Sequence, residues 1–291
     1  MRVQLTRAAA AVAAAVFASF AYVYLTLPDV RPLATTNPKT TAFMELRERE
    51  AAQQDRRLRH YQVWVPYTRI SQNVKRAVLV AEDDAFWQHE GIDMEQLKIS
   101  IRNDIERGRA IRGGSTITQQ LAKNLFLSPS RDPVRKVREL IIARRLEAAL
   151  SKSRIFEIYL NVIEWGDGIW GVEAAARSYF GTSAAALTAP QAALLAGAII
   201  NPRMYNPGHP NARLLRRQRI ILSRMGGYVP PTTVPVVNNA PQPSDVKEQS
   251  ETAAPDDERT EPAPQSGEEA IAPVEPSEPS EPSDPQPLAE P

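Results

Sequence analysis

The 291-residue chain has no cysteine and only three histidines. Without cysteine there can be no disulfide framework, no thiolate metal site and no cysteine nucleophile, and thiol usage says nothing about the redox compartment. His60, His89 and His209 are too scattered for an H-E-x-x-H zinc pattern, so little supports a metalloenzyme. The 13 glycines form no phosphate-binding fingerprint of the dinucleotide or P-loop kind, which sets aside nucleotide-dependent chemistry. Strand signals are few.

What is present is apolar content, helical periodicity and an uneven distribution of charge. The chain is 43% hydrophobic, enough for a core, and one globular domain with tails is the simplest organisation. The net charge of +1 hides an asymmetry: from Pro241 onward there are 14 acidic and two basic residues, while the remainder holds 33 basic and 20 acidic. A basic body points to an anionic partner such as phosphate, lipid headgroup or nucleic acid. Ala8 to Leu27 is uncharged, preceded by Arg2 and Arg7 and ended by Pro28 and Asp29. That length matches a hydrocarbon core of roughly 30 Å, and the flanking charges place the N-terminus in the cytoplasm and the rest outside. The alternative, a cleaved signal peptide, has a shorter apolar region. The expected organisation is a cytoplasmic N-terminus at 1–7, an anchor at 8–28, a linker at 29–42, a domain at 43–228 and an acidic Pro-rich tail at 229–291. The tail, with its Glu-Pro-Ser repeats, has too little apolar surface to offset the entropy of ordering.

Between about Phe43 and Met225 the patterning predicts a mostly α fold. Helices are expected from Ala77 through Glu82 toward a stop at Gly91, and from Ser115, as N-cap, onward. Others are expected at Val134 to Leu150, Lys152 to Asn161, Ala189 to Ile200 and Asn211 to Met225. Three constellations within them can carry chemistry. In Glu82-Asp83-Asp84-Ala85-Phe86-Trp87-Gln88-His89-Glu90-Gly91, a continuous helix would put Glu82, Phe86 and His89 on one face. A carboxylate beside an aromatic ring loses hydration and gains basicity, although a solvated acidic face has the same spacing. In Gly113-Gly114-Ser115-Thr116-Ile117-Thr118-Gln119-Gln120-Leu121-Ala122-Lys123-Asn124, Thr116, Gln120 and Lys123 form a polar stripe and Ile117, Leu121 and Leu125 an apolar one. The glycine pair also offers backbone N–H groups to an anion or a sugar, and an ordinary capped amphipathic helix reads the same way. In Arg135-Lys136-Val137-Arg138-Glu139, three cations around one carboxylate fit either a helix-surface ion pair or a pyrophosphate site.

Taken in order, these strings resemble the peptidoglycan glycosyltransferases, in particular the monofunctional biosynthetic members related to the glycosyltransferase domain of class A penicillin-binding proteins (glycosyltransferase family 51). The match rests on E-D-x-x-F-x-x-H-x-G at Glu82 to Gly91, G-G-S-T-I-T-Q-Q-L-x-K-N at Gly113 to Asn124 and R-K-x-x-E at Arg135 to Glu139. A fourth string is met by Lys152, Ile155, Glu157, Tyr159, Leu160 and Asn161. Trp64-Val65-Pro66 resembles the stand-alone members, and the whole likeness covers about residues 43–228. Two departures, Thr182 where lysine is common and Gln191 where glutamate is common, bear on local packing.

The resemblance implies a lysozyme-like, mostly α glycosyltransferase domain with a small membrane-proximal jaw subdomain, preceded by one transmembrane helix. It implies that Glu82 deprotonates the 4-hydroxyl of an acceptor N-acetylglucosamine, which attacks the anomeric carbon of the donor's N-acetylmuramic acid. Undecaprenyl pyrophosphate then leaves from lipid II or the growing lipid-linked glycan, with inversion to a β-1,4 linkage. Lys123, Arg135 and Lys136 would stabilise the leaving group, with the second catalytic residue, Glu139, holding them or assisting transfer. Asp83, Phe86 and His89 would support Glu82. Ser115, Thr116 and Gln120 would contact sugar or phosphate oxygens, and Gly114 and Asn124 complete the substrate-binding set. Glu157 and Asn161 are expected to be structural.

No cofactor or protein-bound metal is implied, although a divalent cation could ride on the pyrophosphate. The implied setting is the inner membrane, single-pass, with the domain on the periplasmic side. Partners would be lipid II, the membrane and, through the tail, cell-wall synthesis or division proteins, with no nucleic acid. No K-T-G transpeptidase box is present, so cross-linking is expected of another protein. Two other readings compete. A lysozyme-like muramidase would need an acid at the leaving oxygen and no pyrophosphate cradle. A silent membrane scaffold would have no use for Glu82 and Glu139.

Overall fold

A computed structural model describes residues 2–107, 114–127 and 133–227. The tail expected at 229–291 and Gly113 lie outside the described residues. Ten helices are described: α1 (Arg2–Leu25), α2 (Ala42–Gln53), α3 (Gln72–Glu82), α4 (Met94–Arg107), α5 (Ile117–Phe126), α6 (Pro133–Ala149), α7 (Lys152–Val162), α8 (Val172–Phe180), α9 (Ala189–Ala198) and α10 (Ala212–Gly227). The mostly α expectation holds, and the four downstream helices begin and end within two residues of their predicted limits. Among the described residues no helix is long and apolar enough to cross a membrane. The 24-residue α1 has several side chains outside the described set.

Local chemistry sets the helix starts. Thr41 caps α2 by accepting from Met44 N–H, Ser71 caps α3 through Val74 N–H, and Ser151 caps α7 through Arg154 N–H. Gln191 accepts from the Thr188 N–H at the start of α9, so this departure from the family pattern keeps a working capping box. Gly181 ends α8 at φ 62°, the left-handed conformation that glycine adopts without a Cβ clash.

Patterning reads poorly for the three short strands β1 (Tyr61–Gln62), β2 (Glu164–Gly166) and β3 (Ile169–Trp170). They form a sheet of order β1-β3-β2, in which β1 runs parallel and β2 antiparallel to β3. Two or three residues are too few to show a period of two in sequence. The β2–β3 turn depends on Gly168, at φ 69°, where a Cβ would lie 1.8 Å from the Arg59 carbonyl oxygen.

The core gathers around α7, whose Ile155, Phe156, Ile158, Tyr159, Leu160 and Val162 are buried on all sides. Val74, Val78 and Leu79 of α3 and Ile117 and Leu121 of α5 join them. α10 lays Leu214, Ile221 and Met225 inward against α9 and α3. Consequently α3 ends and α5 begins around one cleft, with α6 packed on α5 and α7 behind. Asn161 and Glu157 are structural, as expected. Asn161 exchanges hydrogen bonds with Val65 backbone at 2.8 and 2.9 Å, and Glu157 accepts from Tyr67 N–H and pairs with Arg154.

Candidate active site

Glu82 is the last residue of α3, so the helix expected to continue to Gly91 ends nine residues early. The next residue turns the chain: Asp83 has φ −168° and accepts at Oδ2 from the Ile117 N–H at 2.9 Å. A buried carboxylate pulled onto the first turn of α5 outweighs one more turn of α3. Glu82, Phe86 and His89 therefore do not share a helical face. Phe86 is fully buried 5.5 Å from Phe156 and edge-on to Trp87, and His89 holds Asp83 with Nε2 at 2.9 Å. Nδ1 of His89 accepts from Gly91 N–H, which assigns the ring proton to Nε2.

A second correction concerns the start of α5. The cap is Thr116, not Ser115. The Thr116 hydroxyl accepts from Gln119 N–H and donates to the Gly91 carbonyl at 2.7 Å, so one side chain caps the helix and ties it to the preceding loop. Its hydroxyl is thus used within the protein, and Thr116 reaches the cleft only along the wall it shares with Gly114 and Ser115. Asn124 turns back to donate to the Gln120 carbonyl.

The cleft, of about 160 Å³, is lined by Glu82, Asp83, Asp84, Asp93, Gly114, Ser115 and Arg224 among others. Glu82 accepts at Oε2 from Gln120 Nε2 at 2.9 Å, and Gln120 Oε1 in turn accepts from the Tyr159 hydroxyl at 3.0 Å. Burial pushes the Glu82 carboxyl above its ordinary 4.5, opposed by the Gln120 hydrogen bond and by the charges of Arg217 and Lys123. Burial also pushes the Tyr159 phenol well up, so it stays protonated and fixes which way the Gln120 amide points. Tyr159 was not among the residues expected at the site. It stood inside a quoted string, but nothing in its spacing shows that α7 passes behind Glu82.

The cationic side is built on α6 and α5. Glu139, buried on α6, accepts from Arg135 at 2.7 Å and from Lys136. Lys136 also reaches Ser115 Oγ and Gln119 Oε1 across the α5–α6 junction. Lys123 projects from α5 into the same field. Burial pushes its ammonium below 10.5, Glu139 and Glu82 oppose that shift, and Arg135 and Lys136 add to it. Of the residues expected from the sequence, Glu82, Asp83, Gly114, Ser115 and Thr116 line the cleft, Gln120, His89 and Lys136 bond directly to them, and Lys123, Arg135 and Glu139 gather behind Lys136 and Gln119.

The surroundings do not fit a protein-held metal ion. Asp83, His89 and Asp93 bring ligand-type atoms within 4.8 Å of one another. Both Asp83 oxygens are taken by His89 and Ile117, and both Glu139 oxygens by Arg135 and Lys136.

A family model described as Transglycosylase matches residues 47–226. The chain belongs to this family. It is 52% identical over 194 residues to a biosynthetic peptidoglycan transglycosylase of Herminiimonas arsenicoxydans, covering 65% of this chain and 82% of that protein. Proteins of the same description from Janthinobacterium sp. (strain Marseille) and Dechloromonas aromatica (strain RCB) are 50% and 51% identical. The first covers 67% of this chain and 84% of its own length, the second 65% and 82%. The mostly helical domain is what a lysozyme-like transglycosylase requires, and a glycosyltransferase is the enzyme class that follows.

Proposed function

We propose that the protein polymerises lipid II into β-1,4-linked glycan strands for the bacterial cell wall, with Glu82 as base. The observation that carries this reading is a desolvated carboxylate with a separate cluster of cations, Lys123, Arg135 and Lys136, gathered near it on α5 and α6. Glu82 takes the proton from the acceptor 4-hydroxyl as that oxygen attacks the donor anomeric carbon. Gln120, set by Tyr159, keeps the accepting oxygen aimed. Negative charge grows on the departing pyrophosphate, where Lys123, Arg135 and Lys136 stabilise it. Glu139 orders those cations while substrate is absent. Asp83 and His89 position Glu82 by fastening the end of α3 to α5.

A muramidase would also use a buried glutamate, as an acid, but it would have no use for three cations gathered nearby. The anchor at 8–28 belongs to this proposal. It is supported by the uncharged run and by α1, whose 24 residues span about 36 Å as a helix. A single-pass inner-membrane placement with the domain on the periplasmic side would keep enzyme and lipid-linked substrate in one surface. We read α4, which exposes Met94, Leu97 and Ile99, as part of the jaw, and the tail as the segment that would recruit cell-wall synthesis or division proteins.

The test incubates purified full-length protein with lipid-linked disaccharide pentapeptide and resolves the glycan products. Polymer from wild type and none from Glu82→Gln is expected. Soluble cleavage fragments from preformed glycan would favour the muramidase instead.

A further inference from the structure

α10 continues the cleft in a direction the reaction above does not use. Its inward stripe, Leu214, Ile221 and Met225, fixes an outward face on which Arg216, Arg219, Ile220 and Ser223 follow at i, i+3, i+4 and i+7. These four, with Arg224, line one depression. Arg224 also lines the cleft around Glu82, where it pairs with Asp84 at 2.9 Å, so depression and cleft meet at this residue. Arg217 is turned inward to the Gly197 carbonyl. Arg216 and Arg219 are exposed, and no carboxylate among the described residues pairs with either. Like charges one turn apart repel each other on a helix unless an anion bridges them.

The end of α1 indicates which part of the substrate reaches this face. Arg138 and Arg145 of α6 hold Thr26 and the Tyr24 carbonyl, so the lipid-facing side lies with α6, where the pyrophosphate cations also stand. α10 packs instead on α9 and α3 and reaches the Glu82 cleft through Arg224. A substrate whose pyrophosphate lies on α6 presents its sugars and their substituents toward α3 and α10. The anionic groups at that end are the carboxylates of the peptide carried on each disaccharide. Planar guanidinium forks suit carboxylates, and Ile220 offers an aliphatic contact between them.

We propose that Arg216 and Arg219 of α10 form a specificity subsite that binds the stem-peptide carboxylates of the glycan substrate. The subsite rests on the polymerase reading of the Glu82 cleft. Arg216→Gln/Arg219→Gln alters two exposed side chains, and an unchanged far-UV spectrum verifies its fold. Initial rates are measured in neutral detergent with lipid-linked disaccharide carrying either free or amidated stem-peptide carboxylates. For the free-carboxylate substrate the variant should show a KM raised roughly tenfold with kcat unchanged. On the amidated substrate, wild type and variant should coincide. An equal shift on both substrates, no shift on either, or a loss seen only in vesicles containing anionic phospholipid overturns the subsite. Titration of soluble disaccharide pentapeptide needs no turnover. Weaker binding by the variant supports the subsite even if wild type makes no polymer, which would sink the polymerase reading alone, and equal binding overturns it.

Discussion

The α3 side and the α6 side of the site handle charge in opposite ways. On the α3 side, Glu82 is desolvated and held by a neutral relay of Gln120 and Tyr159, behind which Asp83, His89 and the start of α5 form a closed hydrogen-bonded layer. On the α6 side, Lys136 is nearly half-exposed, and Arg135 and Lys136 share a single buried carboxylate, Glu139. A base needs raised proton affinity, and burial supplies it. A pyrophosphate cradle needs cations able to turn toward an incoming anion, and Lys136 keeps contact with water while Lys123 and Arg135 are largely buried beside Glu139. One side is tuned by excluding solvent, the other by rationing counter-charge.

The strongest test of this contrast is Glu82→Gln, which should lower kcat by about 10³ or more, since general-base loss alone accounts for 10²–10⁴. In wild type, kcat/KM should fall on the acid side through a pKa above 4.5, because Glu82 must be ionised to accept a proton and burial has raised its affinity. It should fall again on the basic side below 10.5 as Lys123, lowered by burial, loses its charge. The same variant should melt higher than wild type near pH 7. The folded-state pKa of Glu82 lies above its unfolded value, so the ionised carboxylate costs stability at neutral pH. That cost, and the difference in Tm, should shrink as pH falls through the folded pKa.

Next in size, Glu139→Gln removes the carboxylate that orders Arg135 and Lys136, and polymerisation should fall by roughly 10². Its Tm should move less than its rate, because both cations can turn to water. A Tm that falls as far as for a core cavity would mean that Glu139 is as much a part of the packed interior as the α3 side. Asp83→Asn probes the closed layer: losing a charged acceptor to Ile117 N–H and His89 should cost about 2 kcal/mol, read by denaturant titration. The smallest effect is expected of Thr116→Val, which removes the cap of α5 and should cost about 1 kcal/mol.

Legibility followed the range of the interactions. The helices at Pro133–Ala149, Lys152–Val162 and Ala212–Gly227 could be read because their apolar spacing and caps are written within one or two turns. The cationic cluster was likewise legible, since Arg135 and Glu139 are one turn apart. The end of α3 was not, because the carboxylate that stops it answers to an N–H 34 residues away. Tyr159 escaped for the same reason, at 39 residues from the amide it orients.

The sequence by itself therefore determined the family, the order of the helices and which carboxylate faces which cations. Those follow from residue type and short spacing, which survive without knowledge of the fold. Only the tertiary structure decided that Glu82 sits at a helix end instead of within one, that its surroundings raise its proton affinity, and that Arg224 of α10 reaches the cleft. Desolvation and long-range hydrogen bonding exist only once distant segments are packed together, and no local pattern encodes them.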